Sequence, residues 1–276
     1  ANKGLEVYID TDGTCSMNLY SGSGTQSIHG AEPLVAGQWN LCVIGHNFTA
    51  SQYYFSINNT ALETVSHSII PAAPTVTTVG PFIGSKYASG VWSEPILSGS
   101  RLWQFALRTG LVTQNDVTAL WNGGTGLTTP AYFGTTQSYH PASNLITYKP
   151  CAWFDFTKKY SCYVASSGIP YADQASSGTV THRIISPVDG GHLDLSAYSF
   201  TPVTPVPRVT NFQNGLPAMS FYPLTVPSCV FGDTNFHDTY EADPLNYIVD
   251  AFTVFFAGTI DTITGDGDQT IYGFEY

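Results

Sequence analysis

The chain has 276 residues, a formal net charge of −11, only nine Lys plus Arg, and 11% charged residues. So acidic a balance lacks the basic footprint that neutralises phosphates or anionic lipid, and no apolar run approaches the ~20 residues of a spanning helix; neither nucleic-acid binding nor membrane insertion is expected. Abundant Gly, Thr, Ser, Tyr and Phe suit twisted strands and tight turns, so the composition points to an all-β fold, as one large sandwich or two small domains.

Leu5, Val7 and Ile9 share one face of a first strand that runs into an Asp12-Gly13 turn, and Met17 and Leu19 carry the next. Leu41, Val43 and the neighbouring Ile44 mark another strand. Tyr53, Phe55 and Ile57 then alternate into the polar tip Asn58-Asn59. Asn47-Phe48-Thr49 and Asn58-Asn59-Thr60 match the glycosylation pattern, which makes Asn47 and Asn58 acceptors in a eukaryotic secretory chain and carries no meaning in a bacterial or phage protein. Phe82-Ile83-Gly84 is a short apolar strand, and Leu102, Phe105 and Leu107 form a longer one.

The spacing predicts one helix, Val112 to Trp121. Thr113 is its N-cap with Asp116 three residues on, Val117, Leu120 and Trp121 give an apolar face, and Gly123-Gly124 closes it. Residues 125–146 carry almost no charge and no sustained periodicity, and read as a linker. After it come Trp153-Phe154-Asp155-Phe156, a Ser/Gly-rich stretch through Ser177, a Pro-rich loop from Thr201 to Arg208, and strands at Ala218–Phe221 and Phe252–Gly258. A hairpin with the tip Gly265-Asp266-Gly267-Asp268 is then expected to lead into Gln269–Phe274. That last strand reads as though it should continue directly into the first.

Five cysteines cannot all pair within one chain, and none shows a zinc-type spacing. Cys15 and Cys42 lie in segments able to neighbour each other in a sheet, and Cys151 with Cys162 would close a short loop. Disulfides and buried, inert thiols are both open readings.

Residues 34–124 resemble the C-terminal half of a laminin-G-like or concanavalin-A-like domain. The carrying residues are Gly37-Gln38-Trp39, Tyr54-Phe55-Ser56-Ile57-Asn58-Asn59, Phe82-Ile83-Gly84, and Gly99 to Leu111 followed by the helix ending Leu120-Trp121-Asn122-Gly123-Gly124. Where that family commonly has Asp-Glu before the helix, this chain has Arg101-Leu102-Trp103-Gln104. Residues 152–276 resemble the N-terminal half, through Trp153-Phe154-Asp155, Tyr171-Ala172-Asp173-Gln174, Asn211 to Phe221, and the pair Phe252–Gly258 and Gln269–Phe274 taken as a hairpin. The resemblance implies an antiparallel β-sandwich of jelly-roll type with one short helix. Its halves stand in permuted order: 1–124 as the C-terminal half, 125–146 as linker, 147–276 as the N-terminal half. Either the chain closes on itself, or its halves belong to successive domains completed by neighbouring sequence or other copies.

Glucanases sharing that fold alternate their carboxylates along one strand as E-x-D-x-x-E, and no such strand occurs here. Glu241 and Asp243 run into Pro244 and read as a solvated turn; the seven histidines are scattered, and HExxH and GxSxG are missing. No catalytic residue is assigned. Calcium is a cofactor candidate, since related domains hold it in acidic loops; Asp266 with Asp268 are the candidate ligands, followed by Asp233, Asp238, Glu241 and Asp243. Asp-Gly pairs also serve turns for purely conformational reasons. For a sugar, Tyr87 and Trp92 in a Gly/Ser-rich loop could form the aromatic platform, with packing beneath the loop as the alternative for Trp92. Trp39, Trp103, Trp121 and Trp153 fall at core positions.

The expected function is a non-catalytic surface module, extracellular, on a cell surface or on a virion, that binds a glycan or another cell-surface ligand. The alternative is a structural subunit of a filament, sheath or virion shell, a homo-oligomer or polymer built by strand complementation. A third reading is the recognition domain of a larger enzyme, since the sequence begins at Ala1 without an initiator Met and reads as a processed chain or a window of a longer one.

Overall fold

A computed structural model describes residues 3–21, 24–47, 49–68, 82–84, 86–88, 91–93, 100–124, 150–155, 162–163, 180–181, 183–185, 194–198, 206–213, 216–220, 228–231, 251–261 and 269–275. The strands of the first half are β1 (Lys3–Ile9), β2 (Thr14–Ser21), β3 (Thr25–Pro33), β4 (Trp39–Asn47), β5 (Gln52–Ile57), β6 (Glu63–Ser66), β7 (Phe82–Ile83), β8 (Lys86–Ala88), β9 (Val91–Ser93) and β10 (Arg101–Thr109). Helix α1 (Gln114–Trp121) and a 3-10 turn at Asn122–Gly124 follow. The second half supplies β11 (Pro150–Asp155), β12 (Cys162–Tyr163), β13 (Val180–Thr181), β14 (Arg183–Ile185), β15 (Asp194–Tyr198), β16 (Val206–Gln213), β17 (Leu216–Ser220), β18 (Ser228–Phe231), β19 (Ala251–Thr259) and β20 (Gln269–Glu275).

These strands form two antiparallel nine-stranded sheets, an all-β sandwich with one short α-helix among the described residues. The first sheet runs β12-β14-β15-β18-β7-β20-β1-β2-β3; the second runs β13-β16-β17-β10-β19-β4-β5-β6, with β11 also on β10. Each sheet therefore interleaves strands from both halves of the chain. β1 lies between β2 and β20, with Leu5 opposite Phe274 and Val7 opposite Tyr272. No described helix is long and apolar enough to cross a membrane.

Local chemistry accounts for the turns that the sequence announces. Asp12 Oδ1 accepts from the Thr14 amide at 2.8 Å and from its hydroxyl at 2.7 Å, and Gly13 takes φ 88°. Those hydrogen bonds hold the Asp12 carboxyl below its usual range. Helix α1 begins two residues later than Val112, because Thr113 is the cap: its amide and hydroxyl donate to Asp116 Oδ2 at 2.7 and 2.9 Å, and the Asp116 amide returns a bond to Thr113 Oγ1 at 3.3 Å. Val112 and Val117 lie in one buried cluster and staple the entry of the helix.

Helix α1 covers the outer face of the second sheet. Leu41 and Val43 from β4, Phe255 and Ala257 from β19, and Trp103 from β10 pack against Val117 and Leu120. Phe105 instead faces the sandwich interior, its ring 5.4 Å from that of Tyr272 in the opposite sheet. Central strands of this sheet are thus buried on both faces, which is why Leu41 to Ile44 and Phe252 to Phe256 read as apolar runs without clean alternation. Trp103 and Phe105 would share a face in a regular strand. A β-bulge separates them: Leu102 opposes Gly258 and Gln104 opposes Ala257, leaving Trp103 as the extra residue.

Gly258 permits that bulge. A Cβ there would stand 2.3 Å from the Arg101 carbonyl oxygen and 3.2 Å from Leu102 Cα, both backbone atoms that cannot swing aside. Gly258→Ala is expected to lose about 3 kcal/mol of stability. Urea denaturation checks it; a change below about 1 kcal/mol would show that β10 and β19 separate without cost.

Three expectations need correction. Phe252–Gly258 and Gln269–Phe274 are not a hairpin, because β19 pairs with β10 and β4 while β20 pairs with β1 and β7, so the chain changes sheets between them. Cys15 and Cys42 are not neighbours in one sheet; β2 and β4 belong to opposite sheets. The Pro-rich stretch ends inside β16, where Pro207 meets only the two-residue β13 near the sheet edge, a place where a missing N–H is tolerated. The linker 125–146 lies outside the described residues.

Candidate functional site

Strands β8 and β9 form a separate two-stranded ribbon alongside β20. Within it Tyr87 and Trp92 are direct Cα partners, flanked by the pairs Lys86–Ser93 and Ala88–Val91. Directly opposed residues of an antiparallel pair occupy the same face, so the ribbon brings the two aromatic positions together. Their side chains lie outside the described residues. So do Asp266 and Asp268, and Asp233, Asp238, Glu241 and Asp243. Among the described residues no group of three or more His, Cys, Asp or Glu is placed to hold a metal ion.

Asn47 and Asn58 are both half-buried. Asn47 Oδ1 accepts from the Ala50 amide, three residues on, at 3.0 Å, a local side-chain bond that holds the chain where it leaves β4. Asn58 takes φ 51°; its Oδ1 accepts from the Leu41 amide at 2.8 Å, and its Nδ2, the atom a glycan would occupy, donates to Asn40 Oδ1 at 2.9 Å. The adjoining Asn59 Oδ1 accepts from Thr118 and Gln114 at 2.8 and 3.2 Å, which pins α1 to the β5–β6 turn.

Three polar constellations were not singled out by sequence reasoning. The first is Glu6, buried on the outer face of the first sheet, whose Oε2 accepts from Tyr20 at 2.7 Å and Asn18 at 3.3 Å while Oε1 accepts from Thr270 at 2.6 Å. The signal was present: a carboxylate alternating with Leu5 and Val7 in an apolar strand needs hydrogen-bonding partners. Ser27 extends the network through Asn18 Oδ1 at 2.6 Å.

The second is Ser16, His29 and Asp10. Ser16 Oγ and Asp10 Oδ2 both lie 3.0 Å from the same ring nitrogen, His29 Nδ1. A nucleophile relay requires the serine and the carboxylate on opposite ring nitrogens. This trio therefore orders the β2–β3 edge and cannot pass a proton from serine to carboxylate.

The third is a fully buried stack. His46 and Tyr53 lie ring on ring at 4.5 Å, and His46 Nε2 is 2.7 Å from His67 Nε2. Burial, reinforced by His67, lowers the His46 imidazole from 6.5 to about 3, and burial pushes the Tyr53 phenol above its usual range. His46 opposing Tyr53 follows from the β4–β5 register, but contact with His67 depends on β6, which carried no clear pattern.

A cavity of about 290 Å³ lies where β3 faces β5 and β6, bordered by Cys15, Gly30, Glu32, Phe55, Ile57 and Glu63. Glu63 Oε2 accepts from the Ala31 amide at 2.8 Å and ties the sheets together there. Comparison with protein-family models gives no match for this chain, and comparison with curated proteins gives none either.

Proposed function

We propose that the chain is a non-catalytic surface module of an extracellular, cell-surface or virion protein, and that it binds carbohydrate or another cell-surface ligand. The observation that supports this reading is the cross-strand pairing of Tyr87 with Trp92 in a ribbon of its own, beside the sandwich and outside both large sheets. Two aromatic positions on one face of a short ribbon suit stacking on a sugar ring, whose apolar face needs a flat partner. The resemblance of the two halves to lectin-like sandwiches supports the same class of ligand.

The full chain on an immobilised glycan array, with and without calcium, tests it. Calcium is included because Asp266 and Asp268 offer the oxygen ligands that ion takes. Saturable retention of one glycan class is expected, weakened about tenfold by Trp92→Ala or Tyr87→Ala. Retention of no glycan, together with particles that grow with protein concentration, would overturn the reading in favour of a subunit of a filament, sheath or virion shell.

A further inference from the structure

The cavity between β3 and the β5–β6 pair has an apolar interior and an acidic rim. Its inner wall is made by the buried Cys15, Phe55 and Ile57, with Gly30 presenting backbone alone. A Cβ on Gly30 would stand 3.0 Å from the Cys15 carbonyl oxygen and 3.4 Å from the Phe55 ring, so a side chain there would crowd this wall. The border includes the exposed residues Ala31, Glu32 and Ala61, which open the cavity to solvent.

The polar groups at the rim differ in what they have left to offer. Ser56 Oγ donates to the Thr60 carbonyl at 2.7 Å, and Thr60 Oγ1 accepts from the Ile57 amide at 3.1 Å, so both hydroxyls serve the β5–β6 turn. Glu63 Oε2 accepts from the Ala31 amide at 2.8 Å, which holds the carboxylate at the mouth while Oε1 accepts from no described residue. Glu32 stands one residue beyond Ala31 on the same rim. Among the described residues no Lys, Arg or His lines the cavity, and the whole chain carries a net charge of −11. A cation is therefore drawn to this mouth and an anion turned away.

The kind of cation follows from the donor set and the walls. Calcium takes roughly six to eight oxygen ligands, and among the described residues no third metal-binding side chain joins the two glutamates. An ammonium group carries three N–H donors and is satisfied by two carboxylates and water. The apolar interior suits a hydrocarbon body. At about 290 Å³ the cavity has nearly twice the volume, ~150 Å³, that admits a benzene, which leaves room for a ring and a short arm.

We propose that this cavity binds a small aralkyl ammonium, a primary amine of about eight to ten non-hydrogen atoms, with its hydrocarbon body against Phe55 and Ile57 and its charge between Glu32 and Glu63. The site shares no residue with the Tyr87–Trp92 ribbon, so it goes beyond the glycan reading and does not depend on it. Because β3 ends the first sheet and β6 ends the second, the ligand bridges the two sheets at their edge.

Phenethylamine titrated into the isotope-labelled full chain at neutral pH and low salt, followed by amide NMR, tests it. Saturable shifts are expected at Gly30, Ala31, Phe55 and Ala61, with a Kd of about 0.1–1 mM. Phenethyl alcohol, of the same size without the charge, is expected to bind about tenfold more weakly, and added salt weakens the amine alone. Glu32→Gln alters an exposed residue, and Glu63→Gln keeps an oxygen for the Ala31 amide; each is expected to weaken the amine by about three- to tenfold and to leave the alcohol unchanged. Ala61→Trp at the border is expected to abolish binding of both. The proposal is overturned if the amine gives no saturable shifts, if the shifts centre on other residues, or if amine and alcohol bind equally, which would leave only an apolar void. Displacement of the amine by an equal concentration of calcium would overturn it in favour of a metal site at the rim.

Discussion

Trp103→Ala is expected to lower the stability of the folded chain by about 3–5 kcal/mol. Trp103 is among the largest fully buried side chains, wedged between the second sheet and helix α1. Its ring meets Trp39 edge-on at 5.9 Å, and Trp39 in turn lies 5.1 Å from Trp121 at the end of the helix. Truncation removes the floor on which α1 rests, and a helix of eight residues does not hold itself together in water. The void and the loosened helix both add to the lost transfer energy. Trp103→Phe is the informative companion. The indole N–H is buried without a hydrogen-bond partner, so phenylalanine keeps most of the packing and removes a costly donor; it is expected to lose much less than alanine. Urea midpoints and slopes of the two variants decide the matter. An alanine variant within about 1 kcal/mol of the parent would refute the account of how α1 is held.

Stability is also expected to fall as pH drops from 6.5 towards 3. His46 is buried neutral with its pKa lowered from 6.5 to about 3, by desolvation first and by His67 second. Between those values the unfolded chain binds a proton that the folded chain refuses, so protonation favours unfolding. The contribution is fully present above pH 6.5, declines by about 1.4 kcal/mol per pH unit below it, and is exhausted near pH 3. Asp12 acts in the same direction only around and below its ordinary pKa of 3.8, so the upper part of the window belongs to His46. His46→Phe retains a ring against Tyr53 and is expected to flatten the profile between pH 6.5 and 4. An unchanged slope in that variant would assign the acid sensitivity elsewhere.

How much of this was legible in the sequence depends on the range of the interaction. Turns and caps are written in adjacent residues, so Asp12-Gly13, Asn58-Asn59 and the Thr113–Asp116 box were readable directly. Alternation told which residues of β1 and β5 face inward, whereas the apolar runs of β4 and β19 were readable only as strands, their burial on both faces depending on where α1 packs. Neither says which strand lies next door. The change of sheet between β19 and β20, the placing of Cys15 and Cys42 in opposite sheets, and the meeting of His46 with His67 are settled by pairings between distant segments. The Trp103 bulge was hidden for a related reason: it exists because Gly258, on another strand, leaves room for it. Of the candidate sites, the types of Tyr87 and Trp92 were visible, while their opposition depended on a register that a Gly/Ser-rich loop does not announce.

Because β1, β4 and β10 all take neighbours from β19 or β20, the order of synthesis matters. A growing chain carries the edges of those strands uncovered until β19 and β20 emerge, and must then close contacts between segments far apart in sequence. Such topologies fold slowly and are vulnerable while incomplete. A nascent or prematurely terminated chain is thus the aggregation-prone form of this protein, and the pairing of β1 with β20 marks the moment at which that exposure ends.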